Sequence, residues 1–312
     1  ENGSGLPNAY KDSSPNDRHG DSGAVTVSGP PTQNLTGKIN IGQDFSGTGQ
    51  SIDIKNPALA DGTNTQITLS AWVNLDTASN DAFGKILARG RNGTTPADYY
   101  PYTLQAENNG PGTQDVRMAA TNEAGTLYND GDGAGNDAAI TESQWEYVVG
   151  VYDAEAGFKL TYVNGAEAPN GRAPINGSPI RNYNGTNTYI GARDSDGDGV
   201  PDSQYFGGSL DEVRLSTTAR SADWIRAEYL NQNSPGAFTT FNPPPSIWRW
   251  DDGADPDQSW GTGANWDIGT PPGSLGTERA VLQNSTGGAW DAVLTSSISL
   301  TSLSIDSASS AM

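Results

Sequence analysis

Alternation with a period of two constrains this chain more than any other feature. Ile67, Leu69, Ala71, Val73 and Leu75 fall on one face of an extended segment, and Trp145, Tyr147, Val149 and Val151 on one face of another, because successive strand side chains point to opposite sides of a sheet. Each set is expected to line a core. Further strands are expected at 25–28, 51–54, 85–89, 102–106, 116–121, 158–163, 188–191 and 209–215. Phe158–Val163 runs into Asn164-Gly165, a pair that accepts the positive φ angles of a two-residue hairpin turn. One segment, 221–232, reads as helix. Ser221 is placed to cap it, Asp223 favours the positive end of its dipole, and Trp224, Ile225 and Tyr229 form an apolar stripe. Short strands separated by turns specify an all-β, two-sheet antiparallel β-sandwich with one short helix.

Composition supports that class and removes much chemistry. The 39 Gly, 19 Pro and five Lys suit a turn-rich β protein. A net charge of −20 repels nucleic acid and anionic membrane surfaces and leaves cationic partners open, calcium first among them. The absence of cysteine excludes disulfides, thiol nucleophiles and cysteine-ligated metals. The single histidine, His19, excludes a histidine-clustered metal site and sits in a polar stretch ill suited to the base of a Ser-His-Asp triad. No run approaches the ~20 apolar residues of a membrane helix, so no membrane span is expected. An acidic, lysine-poor, cysteine-free β protein fits the exterior of a bacterial cell, secreted or surface-bound.

Residues 1–23 carry few apolar side chains and many turn formers, and read as a loop-like arm on a sandwich spanning 1–241. Asn242 with Pro243, Pro244 and Pro245 makes a stiff linker over 242–246. Beyond it, 247–312 holds five of the eight tryptophans (Trp248, Trp250, Trp260, Trp266 and Trp290) and a Ser/Thr/Leu run from Ala292 to Ile305. This small β-rich C-terminal segment reads as the start of a repetitive β region.

Six motifs occur in an order seen elsewhere: Leu69-Ser-Ala-Trp-Val-Asn, Ile86-Leu-Ala-Arg-Gly, Trp145-Glu-Tyr-Val-Val-Gly-Val-Tyr-Asp, Tyr162-Val-Asn-Gly, Tyr189-Ile-Gly-Ala and Gly208-Ser-Leu-Asp-Glu-Val-Arg-Leu. They resemble the laminin-G-like, concanavalin A-like jelly roll of bacterial surface and secreted proteins. The stretch from Ala219 to Pro235 resembles the helix and tail that follow the last strand of such domains, so the resemblance covers roughly 38–241. It implies a jelly-roll sandwich. That fold hosts lectin-like modules, hydrolases and structural domains alike, so activity has to be argued from the site. The family's opening strand, with an aromatic and an acid, is represented here by Glu1 alone, which implies either a piece of a longer protein or a strand supplied by another chain. The tail resembles the opening of the repetitive stretches of bacterial exported passenger proteins.

The sharpest local motif is Asp194-Ser-Asp196-Gly-Asp198-Gly-Val200-Pro-Asp202. Acids at positions one, three, five and nine, with Gly199 at position six, match a calcium loop in which alternate side chains and the position-seven backbone, Val200, converge on a hard cation. Tyr205 stands where an EF-hand has its bidentate Glu, and no helix flanks the loop, so a modest affinity is expected. Asp211 is a second candidate ligand. A period of two puts it on the face of Val213 and Leu215, where a carboxylate must be hydrogen-bonded or bind metal. Jelly-roll carbohydrate modules that resemble this chain often hold a structural calcium with such an aspartate, and the resemblance implies the loop around Asp12 as its companion here. The acidic, glycine-rich 129–137 has irregular spacing and reads as a loop.

Sugar binding uses aromatics stacked on pyranose faces, which makes Tyr99, Tyr100, Tyr102, Tyr128 and Tyr183 candidates, each with packing as its rival role. Catalytic members of the fold carry a Glu-x-Asp-x-x-Glu strand, and no such triplet is present. The expected function is a non-catalytic, calcium-stabilised extracellular adhesion module of a larger bacterial protein, with a glycan or a surface protein as ligand. The alternatives are a structural building block that assembles with copies of itself by strand complementation, and a polysaccharide hydrolase or lyase.

Overall fold

The computed structural model describes residues 10–15, 18–22, 30–54, 64–76, 83–90, 100–108, 114–128, 138–181 and 186–238. Toward the C-terminus it describes 247–250, 259–260, 262, 264, 266–267, 271, 279–284 and 302–307. The chain forms two compact units, Glu1–Phe238 and Thr239–Met312.

In chain order the strands of the first unit are β1 (Asp21–Ser22), β2 (Thr32–Asn34), β3 (Gly42–Ser46), β4 (Ile52–Ile54), β5 (Gln66–Leu75), β6 (Phe83–Arg89), β7 (Tyr102–Asn108) and β8 (Gln114–Thr121). They continue with β9 (Leu127–Tyr128), β10 (Ala139–Ile140), β11 (Trp145–Asp153), β12 (Phe158–Val163), β13 (Ala166–Glu167), β14 (Ala173–Pro174), β15 (Thr188–Ile190) and β16 (Gly207–Ser216). Two helices follow, α1 (Ala222–Asn233) and α2 (Pro235–Phe238). One sheet runs β1-β4-β15-β6-β7-β8-β10 with β9 on β8, and the other β13-β12-β11-β5-β16-β3-β2 with β14 on β12. Every pairing in both is antiparallel. The first unit is the expected two-sheet β-sandwich.

The alternation on β5 places Ile67, Leu69, Ala71, Val73 and Leu75 in the core between the sheets, with Leu104, Val116, Met118 and Phe206. The alternation on β11 has a different destination. Val148 and Tyr152 face that core, whereas Tyr147, Val149 and Val151 join Trp72, Leu160, Tyr162 and Ile225 in a second apolar cluster under α1. The sheet is therefore buried on both faces. Gly150 faces the inner core because Met118 fills the space, and a Cβ there would sit 2.5 Å from its Sδ.

Helix α1 starts where the capping signal lies. The Ser221 hydroxyl accepts from the Trp224 amide at 3.2 Å. Ile225 is fully buried, and Tyr229 stacks near Trp72 and Tyr147. Trp224 departs from the expected stripe: it is 37% exposed, with the Arg220 guanidinium 4.5 Å from its ring centroid. The hairpin turn holds, with Asn164 at φ 52° and Gly165 at φ 76° joining β12 to β13.

Three features escaped the sequence reading. Strands β2 and β3 lie in a stretch without clear alternation, yet β3 pairs with β16. Part of the arm is strand, since Tyr10 bridges Gly20 and β1 pairs with β4. The third is a bulge in β16. Asp211 pairs with Trp72 and Arg214 with Ser70, leaving Glu212 and Val213 opposite a single residue, and Glu212 has φ 49°. The extra residue breaks the period of two. Asp211 thus lies with Arg214 on the α1 side of the sheet, while Leu210, Val213 and Leu215 face the inner core. This corrects the expected shared face of Asp211, Val213 and Leu215.

The second unit contains β17 (Ile247–Trp250), β18 (Arg279–Asn284) and β19 (Ser302–Ser307), paired in parallel in the order β17-β18-β19. Trp250, Trp260 and Trp266 are buried together, with the Trp266 ring edge-on to both others, 5.3 Å and 4.7 Å between centroids. The Trp266 indole N–H donates to the Trp260 carbonyl at 3.0 Å. The strand expected at 25–28, the 129–137 loop, the 242–246 linker and Trp290 lie outside the described residues.

Candidate functional site

The acidic motif occupies the connection between β15 and β16, and its base is clasped by main-chain hydrogen bonds. The Arg193 amide donates to the Ser203 carbonyl at 3.0 Å, and the Asp202 amide to the Arg193 carbonyl at 3.0 Å. Gly197 at φ 82° and Gly199 at φ 89° supply the left-handed turns that only glycine adopts without strain. Asp194 is buried at 1% exposure and organises the loop. Its Oδ1 accepts from the Gly197 amide at 2.6 Å and its Oδ2 from the Gly199 amide at 3.0 Å.

Around that buried carboxylate the exposed Asp196 and Asp198 converge, with one oxygen of each of the three acids within 4.8 Å of the others. The other two carboxylates also shape the loop: Asp196 accepts from the Asp198 amide at 3.1 Å, and Asp198 from the Val200 amide at 2.8 Å. Burial pushes the Asp194 carboxyl above the usual aspartate range, against the amides that favour its charged form, and the Asp198 charge pushes the same way. Three oxygen donors of like charge form a group that could hold a hard metal ion.

The remaining expected ligands are placed differently. Asp202 is turned to Ser195, whose amide donates at 2.8 Å and whose hydroxyl donates at 2.6 Å. Val200 lies in the loop, with its amide on Asp198. Tyr205 locks the far side through its hydroxyl to the Pro201 carbonyl at 2.9 Å. Asp211 is buried, and its carboxylate accepts from the amides of Ile39 at 2.7 Å and Glu212 at 2.8 Å. Burial raises its pKa, the amides lower it and the Glu212 charge raises it, with a net rise. Asp12 serves its own loop, accepting from the Ser14 amide and hydroxyl and from the Arg18 amide. Among the described residues, the acids gathered at ligating distance are Asp194, Asp196 and Asp198.

Of the tyrosine candidates, Tyr100 and Tyr102 are buried. Tyr102 is fully buried with its hydroxyl 3.0 Å from that of Thr188. Tyr100 is 8% exposed, with the Lys85 ammonium 4.8 Å from its ring centroid. Burial leaves neither ring an open face for a pyranose. Tyr128 is half-buried and joined to Asn122 and Asn176. Tyr99 and Tyr183 lie outside the described residues.

Sequence reasoning missed an ionic group beneath α1. Arg214 forms ion pairs with Glu212 and Glu228, and the Tyr147 hydroxyl donates to Glu228. The bulge creates this group by turning Arg214 toward the helix. It engages both acids with one guanidinium, whereas glycoside hydrolysis needs one carboxyl protonated and the other free as a nucleophile or base.

The family known as the concanavalin A-like lectin/glucanases superfamily matches residues 45–226. The chain belongs to that superfamily. The match covers β4 to β16 and the acidic loop of this lectin/glucanase-type sandwich, and ends within α1. Among solved structures, it is similar to a heptameric SAP-like pentraxin from Limulus polyphemus, with 17% identity, a TM-score of 0.40, and coverage of 53% of this chain and 70% of that one. Domain 4 of AbnA, a GH43 extracellular arabinanase from Geobacillus stearothermophilus in complex with arabinotriose, gives 15% identity, a TM-score of 0.46, and coverage of 67% and 86%. The botulinum neurotoxin serotype G binding domain gives 10%, 0.45, and coverage of 70% and 48%. No curated protein sequence matches this superfamily member significantly. The fold itself serves binding modules and glycoside hydrolases.

Proposed function

We propose that this chain is a non-catalytic glycan-binding module of a bacterial exterior protein, with calcium held by Asp194, Asp196 and Asp198. The observation that carries the reading is the convergence of three carboxylates on a buried aspartate in a clasped, glycine-turned loop. Like charges so close are costly in water and costlier where one is buried, and a divalent cation offsets that repulsion. Asp196 and Asp198 supply exposed oxygens and Asp194 a fixed one, a donor set that suits a hard ion. The acidic, cysteine-free composition fits an extracellular setting, where calcium modules bind with dissociation constants of roughly 10⁻⁴–10⁻³ M.

The test is a thermal melt in EGTA against excess calcium, with Asp196→Asn beside it. Calcium raises the midpoint of the parent and leaves the variant unmoved; an equal response in both would refute the loop as the site. Glycan binding is tested on an array of bacterial and plant polysaccharides, together with a reducing-end assay. Ligand retention without release of reducing ends is the expected result, and release would favour a hydrolase.

A second reading concerns the tail. The in-register parallel strands β17, β18 and β19 support the 247–312 segment as the start of a repetitive β region, following a sandwich over 1–241 and a linker over 242–246.

A further inference from the structure

A cavity of about 410 Å³ opens in the first unit between the arm around Tyr10–Gly20 and the bulged strand β16, and reaches the first turn of α1. That volume is within the range of small-ligand sites. Part of its wall is apolar, from Ile52, Ile190, Val213 and Leu215. Its charge runs against that of the molecule. In a chain of net charge −20 with 17 basic residues, four of them, Lys11, Arg18, Arg214 and Arg220, line this one cavity beside a single acid, Asp12.

Asp12 is engaged by Ser14 and the Arg18 amide, and Arg214 by Glu212 and Glu228. Two guanidinium groups are in a different position. Nε and Nη1 of Arg18 and Nε of Arg220 are buried without a hydrogen-bond partner. Buried donors left unpaired are costly, and a planar guanidinium is shaped to satisfy them with a carboxylate or a sulfate. Trp224 stands among the lining residues with 37% of its surface exposed; the Arg220 guanidinium lies 4.5 Å from its ring centroid, so an indole and a cation stand side by side, and the exposed part of the ring is left for a sugar. Ser13 and Ser216 line the same cavity.

We propose that this cavity binds an acidic saccharide, its carboxylate or sulfate on Arg18 and Arg220 and its ring against Trp224. The site rests on the glycan-binding reading, and it involves no residue of the 194–202 loop. An acidic peptide offers the same anion without a pyranose to stack, so the exposed indole favours the sugar.

Calorimetric titration of the full chain tests this with four probes: a galacturonate tetrasaccharide, a heparin-derived tetrasaccharide, neutral cellotetraose and an octaglutamate peptide. At least one acidic sugar binds, and which one distinguishes a carboxylate from a sulfate site, while cellotetraose and octaglutamate do not. Arg18→Gln and Arg220→Gln each weaken binding roughly tenfold to hundredfold, and raising salt from about 0.05 to 0.5 M weakens it further. Trp224→Ala, on an exposed side chain, weakens the acidic sugar as well and serves if an arginine variant fails to fold.

Unchanged affinity in the arginine variants overturns the inference. So does octaglutamate binding as tightly as the sugars, or the failure of both acidic sugars to bind. Neutral glycans binding on the array, with neither acidic sugar binding, would sink this cavity and leave the wider glycan reading standing. Silence from every glycan would sink both.

Discussion

Lys159 is fully buried on β12, with its amine donating to the Met118 carbonyl at 2.9 Å. Burial, aided by the Arg117 charge, holds its pKa down at about 6, against 10.5 when exposed. Above about pH 6 the folded amine is neutral while the unfolded one still binds a proton, so this residue makes stability rise with pH between about 6 and 10. The slope reaches about 1.4 kcal/mol per pH unit where one proton separates the two states. Lys159→Met is expected to be more stable than the parent at pH 7 and to lose that slope, as read from urea melts at pH 6, 8 and 9.5. Gly150→Ala tests packing on the facing strand. The new methyl meets the Met118 side chain, and the overpacking is expected to cost about 1–3 kcal/mol in the same assay. Neither effect is legible in a linear pattern. Lys159 sits in an unremarkable strand, and the partner of Gly150 lies 32 positions away on the other sheet.

Helix α1 shows how much of an element is written locally. Its start follows from Ser221 and its position from the apolar residues beneath it, so the two can be separated. Ser221→Ala is expected to cost about 1 kcal/mol, whereas Ile225→Ala empties a buried site and costs about 2–5 kcal/mol. Chemical denaturation ranks the two, and near-equal losses would mean the helix is held mainly by its cap. The spacing of the acidic loop was legible because its aspartates and glycines are adjacent in sequence. The β16 bulge was not, since a pairing shift depends on the partner strand, and it moved Asp211 to the opposite face.

For the molecule as a whole, calcium at 100 times its dissociation constant adds about 2.7 kcal/mol if it binds the folded state alone. For a domain of this size that raises the melting midpoint by roughly 5–11 °C. Residues 1–238 expressed alone are expected to keep this response, because all three gathered acids lie within the first compact unit. Loss of the response on truncation, with the fold intact by circular dichroism, would place the ion elsewhere.

The amino-acid sequence by itself determined the sandwich class, the hairpin at Asn164-Gly165, the capped helix and the acidic loop, because each is encoded by side chains within a few positions of one another. Tertiary structure alone decided that β11 covers two cores, that Tyr100 and Tyr102 are packing residues, and that Arg18 and Arg220 line one cavity. Those outcomes depend on which distant strands meet and in which register, and a period of two is silent about both.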